Sequence, residues 1–64
     1  MLYWIKLYDT EDMSYVELSR ISSSIEHLTK DLKAVVKCYN QHGYNLDKVR
    51  IFDTDKKLLV SYDL

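Results

Sequence analysis

One helical stripe, set between two pairs of short alternating runs, constrains this chain more than any other feature. Ile25, Leu28, Leu32, Val35 and Tyr39 recur at helical spacing, so a helix can turn them all toward one core. Lys30, Lys33 and Lys37 fall on the opposite side. Ser23 and Glu26 stand at the spacing of a capping box, in which the hydroxyl and the carboxylate satisfy each other's orphan backbone donors. Gly43 sits where a left-handed residue closes a helix. The pattern predicts a helix over about residues 24–42.

Ahead of that stripe, Leu2 to Tyr8 is an apolar and aromatic run ending in Asp9-Thr10-Glu11-Asp12, which predicts a strand and a polar turn. Alternation puts Tyr3, Ile5 and Leu7 on one side and Trp4, Lys6 and Tyr8 on the other. Met13 to Ile21 suits a strand pairing back on the first, because β-branched and aromatic residues hold its apolar positions. Two helical turns starting at Asp12 are the alternative, and a helix-turn-helix over Glu17 to Val35 would need them. After the helix, Val49 to Asp53 and Leu58 to Tyr62 form a second pair of runs about the turn-rich Asp53-Thr54-Asp55-Lys56, a hairpin pattern.

The expected fold is therefore α+β: a single β-β-α-β-β domain over 1–64, with a four-stranded, mostly antiparallel sheet and one helix packed on one face. A chain of 64 residues buries only about 60% of the surface its unfolded form exposes, so its core is marginal. The single cysteine, Cys38, rules out an internal disulfide, and His27 and His42 are not spaced as structural zinc ligands. Self-association is the remaining route to extra stability, and a homodimer is plausible on that ground. A lone thiol and the lack of a signal-peptide pattern lead us to expect a cytoplasmic protein that does not engage a membrane. The size suits the accessory proteins that phages and mobile elements encode, an expectation from length alone.

One helix covers one side of a sheet. The other side is expected to carry Trp4, Lys6, Tyr8, Tyr15, Glu17, Arg50 and Phe52, with Tyr62 or Ser61 from the last strand. Aromatic side chains are thus concentrated where polar ones belong, and such a patch calls for a use. Cross-strand packing is the plainest account. A protein partner, or a second copy, is the functional one, since Trp, Tyr and Arg dominate binding hot spots. Single-stranded nucleic acid stacking on the rings is a further reading, and a formal net charge of −1 counts against it.

No catalytic constellation is apparent. Asp9, Glu11 and Asp12, and again Asp53 and Asp55, have the spacing of turn chemistry rather than of a calcium loop. No serine or cysteine is placed to pair with His27 or His42, and Cys38 is expected to be a small, at least half-buried hydrophobe. The lysine row is expected to be a solvated face, with an acidic partner or phosphate as its alternative ligand. We therefore expect no enzyme, no metal and no cofactor. The expected role is a binding or regulatory protein that occludes or scaffolds a partner, anchored by Trp4, Tyr15, Arg50 and Phe52 with Lys6 and Tyr8 beside them.

Overall fold

The computed structural model describes residues 1–64. Strands β1 (Leu2–Asp9) and β2 (Ser14–Ile21) precede helix α1 (Ile25–Gln41), and β3 (Lys48–Phe52) and β4 (Leu58–Asp63) follow it. The strands form one sheet in the order β2-β1-β3-β4, with every neighbouring pair antiparallel. This is the expected small α+β arrangement. Met13–Ile21 contributes a strand, which removes the helix-turn-helix alternative. The helix is not long and apolar enough to cross a membrane.

The two central strands carry the core. Tyr3, Ile5 and Leu7 of β1 and Val49 and Ile51 of β3 are buried against Leu28, Leu32 and Val36 of α1, and Leu46 closes the cluster from the loop before β3. The buried line on the helix runs 28–32–36, one position off the expected stripe at its C-terminal end. Ile25, Val35 and Tyr39 flank it, partly buried. Cys38 corrects an expectation, because it is exposed. Two residues past Val36 is about 200° around the helix, which turns its thiol to solvent.

The helix start also differs from the capping-box reading. Ser22 and Met1 exchange backbone hydrogen bonds (2.9 and 3.0 Å), so the β1–β2 ladder runs on through Ser22. Helical turns then begin at Ile25, and Ser24 becomes the cap, its hydroxyl accepting from His27 N–H at 3.2 Å. Glu26 remains in the first turn, where the helix dipole favours an anion.

The helix ends as Gly43 implies. Gly43 has φ +98, Tyr44 N–H donates to Tyr39 C=O, and Gly43 N–H donates to Asn40 C=O. These are the two bonds of a Schellman motif, and the contact that accompanies such motifs is made by Tyr39 and Tyr44, edge to face at 5.0 Å. His42 Nδ1 lies 2.8 Å from Cys38 C=O, serving another carbonyl of the last turn.

The acidic turns are closed by hydrogen bonds to their own carboxylates. Asp9 Oδ1 accepts from Asp12 N–H, and Asp12 Oδ2 from the Ser14 hydroxyl. Asp53 Oδ1 accepts from both Asp55 and Lys57 N–H. Each hairpin also holds a non-glycine residue in the left-handed region, Met13 (φ 55) and Lys56 (φ 61).

Candidate functional site

Cross-strand register builds the uncovered face row by row. Ser19, Trp4, Phe52 and Leu58 make one row; Glu17, Lys6, Arg50 and Ser61 the next; Tyr15, Tyr8, Lys48 and Asp63 the third. All six residues expected to form a binding surface (Trp4, Lys6, Tyr8, Tyr15, Arg50 and Phe52) therefore lie together on this face. From β4 it is Ser61 that joins them. Tyr62 pairs with Val49 and packs against the core instead.

Cations stand over the rings. Lys6 Nζ lies 4.9 Å from the Tyr15 ring centroid and 5.7 Å from that of Phe52, reaching diagonally into both neighbouring rows. The Arg50 guanidinium lies 5.1 Å from the Tyr8 centroid, and Lys56 Nζ 5.9 Å from that of Trp4. Tyr8 and Tyr15 also touch, tilted at 5.5 Å. Each such contact contributes about 0.5–1 kcal/mol at an exposed site. Cross-strand packing therefore stabilises this face, and it does so with charged groups kept at the surface.

The charge balance is local. Lys6, Lys48, Arg50 and Lys56 face Glu17 and Asp63, so the face is positive although the chain carries a formal −1. Lys48 and Asp63 form the one ion pair, at 3.7 Å, an exposed contact of little energy. Lys6 aims at rings rather than at the Glu17 carboxylate opposite it. Arg50 has no carboxylate partner, and its Nε is enclosed without any acceptor.

A hollow of about 130 Å³ opens in the middle of this surface, lined by Trp4, Phe52, Lys6, Lys56 and Glu17. Small-molecule sites usually span about 300–1,000 Å³, so this one suits a single inserted side chain. Lys56 was not legible as a member of the face. It stands in the β3–β4 turn, and only folding of that turn brings it over Trp4.

A larger groove, about 560 Å³, runs between α1 and the end of β4. Lys30, Lys33 and Lys37 line it with Val36 and Tyr62. The lysine row thus borders the sheet edge and does not stand wholly opposite the core. Burial raises the Tyr62 phenol above its usual range. No nucleophile with an adjacent base lines either concavity, and no group of three or more His, Cys, Asp or Glu is gathered as a metal site requires. No family model matches the chain, and no curated protein or solved structure matches it.

Proposed function

We propose that the protein is a non-catalytic binding protein whose open sheet face docks a protein partner bearing a carboxylate-rich, partly apolar surface. The hollow between Trp4 and Phe52, flanked by the Lys6 and Lys56 ammonium groups, is the observation that carries this reading. It has the size for one anchoring side chain, and its rim supplies the Trp and cationic contacts typical of hot spots. The surrounding positive charge speeds encounter with an acidic surface and orients it. Tyr15, Tyr8 and Arg50 extend the contact along the sheet. By this reading the protein acts through occlusion or scaffolding.

Single-stranded nucleic acid uses the same residue types, but bases would have to displace the cations already over the ring faces. The decisive experiment is affinity capture from the native host with the wild-type chain, Trp4→Ala and Lys56→Glu in parallel, followed by titration of the purified partner. A protein whose affinity falls at least about ten-fold for both variants supports the reading. Equal capture by all three chains refutes it. Quenching of Trp4 by single-stranded DNA or RNA with a steep salt dependence would place nucleic acid in the partner's role.

A further inference from the structure

Strand β2 is an edge of the sheet, and its outward backbone groups can be assigned from the ladder phase. Met1 and Ser22 exchange both their backbone bonds, and bonded and non-bonded pairs alternate along an antiparallel ladder. Ser14, Val16, Leu18 and Arg20 therefore turn their N–H and C=O groups toward β1. Tyr15, Glu17, Ser19 and Ile21 turn theirs outward, away from the sheet. Along this eight-residue strand there is no proline and no lysine to discourage pairing. Two partial guards remain: Glu17 sets one charge among the outward residues, and Arg20 Nη1 donates to the outward Ser19 carbonyl at 3.0 Å.

The side chains on this edge are complementary to themselves. Tyr15 is 52% exposed and Ile21 81% exposed, the two large apolar groups that β2 leaves in solvent. We propose that β2 pairs antiparallel with β2 of a second copy, with Leu18 on the two-fold axis. Tyr15 of each chain then lies opposite Ile21 of the other, and Glu17 opposite Ser19. Each of these four residues exchanges both backbone bonds with its counterpart. On the helix side, Leu18 meets Leu18 and Val16 meets Arg20. The Glu17 N–H of one copy replaces the Arg20 guanidinium on Ser19 C=O of the other.

Neighbouring registers are worse. Centring on Glu17 sets two carboxylates directly opposite, which is destabilising. Centring on Ser19 puts Tyr15 opposite Ser23, beyond the strand, and Ile21 opposite a charge. Strand β4, the other edge, is shorter, has a register shift at Ile51/Phe52, and turns the charged Asp63 outward. The symmetry axis stands perpendicular to the sheet, so the two sheets join into one and both aromatic faces lie on the same side. This interface uses the sheet edge; it shares Tyr15 and Glu17 with the open face and does not involve Trp4, Phe52 or Lys56 of the hollow.

Sedimentation velocity on the full chain, from low micromolar to high hundreds of micromolar, should show a concentration-dependent dimer. Ser19→Pro removes only an outward N–H and spares the β1 ladder. It should weaken association at least about ten-fold with an unchanged circular-dichroism spectrum. Ile21→Lys supplies the same test should the proline disturb folding. In a Cys38→Ser background, Leu18→Cys should give a disulfide-linked dimer on mild oxidation, because facing Cα atoms at a non-bonded pair lie about 4.5 Å apart. Val16→Cys, far from its own copy in this register, should not. A monomer at every concentration overturns the proposal, as does cross-linking at Val16 as ready as at Leu18. A dimer lost on Trp4→Ala but kept by Ser19→Pro and Ile21→Lys also overturns it, by putting self-association on the face.

Discussion

The Asn40 carboxamide clasps the backbone of Leu46: Oδ1 accepts from Leu46 N–H at 2.8 Å, and Nδ2 donates to Leu46 C=O at 3.2 Å. Asn40 lies in the last turn of α1, and Leu46 is the buried residue that seals the core from the loop. A side chain on the helix thus satisfies the polar groups of a residue whose own side chain must be buried. Asn40→Ala should cost about 1–3 kcal/mol, because it leaves both Leu46 groups without partners. Asn40→Asp keeps the acceptor but sets a carboxylate oxygen against Leu46 C=O at the helix C-terminus, so its cost should rise with pH as that carboxyl ionises. Urea denaturation, read as a lower midpoint with unchanged slope, checks both.

Left-handed positions give opposite signs at different residues. An added Cβ at Gly43 meets nothing within 4 Å, so Gly43→Ala should be destabilising by about 1–2 kcal/mol from backbone conformation alone. Met13 holds φ 55 with its side chain 91% exposed, and Met13→Gly should be stabilising by about 0.5–1 kcal/mol. Thermal unfolding of the two variants should shift in opposite directions.

Asp47 ties the first hairpin to the start of β3. Its carboxylate accepts from the Thr10 hydroxyl and the Thr10 N–H. The Thr10 hydroxyl, above all, holds the carboxyl below its ordinary value of 3.8, against an opposing effect of desolvation. A depressed folded value means that this stabilisation is complete above the unfolded value. It is lost as pH falls through the lower, folded one. Thr10→Val should flatten that part of the acid limb, measured as urea midpoints across the acidic range.

The rings and cations of the open face should be energetically coupled. A double-mutant cycle on Arg50→Met and Tyr8→Leu should give a coupling of about 0.5–1 kcal/mol. Lys56→Ala should alter Trp4 emission without unfolding the chain. Null coupling would mean that the cations merely lie near the rings.

Core truncation marks the limit of tolerance. Leu32 is 1% exposed, and Leu32→Ala should cost about 2–5 kcal/mol, which rivals the whole stability of a chain this short at about 0.05–0.15 kcal/mol per residue. Loss of the cooperative transition at room temperature is the expected readout.

Local chemistry determined much of this protein from the sequence alone. The period-two alternation of Tyr3, Ile5 and Leu7 against Trp4, Lys6 and Tyr8 assigned each side chain to a face, because successive Cβ atoms along a strand must point oppositely. Gly43 placed the end of the helix, because a left-handed closing residue strongly favours glycine there. Strand order was a different matter. Only the tertiary structure put β1 and β3 at the centre, since pairing between distant segments is set by shared burial under α1 and leaves no short-range mark. That choice made Lys6 the middle of the open face and β2 an unpartnered edge. The reach of the β1–β2 ladder through Ser22 moved the cap from Ser23 to Ser24, and packing of the helix on Val36 turned Cys38 outward. The aromatic face was visible in the sequence. The hollow within it, with Lys56 brought over Trp4 by a turn, came from folding, because only folding sets a loop side chain against a strand.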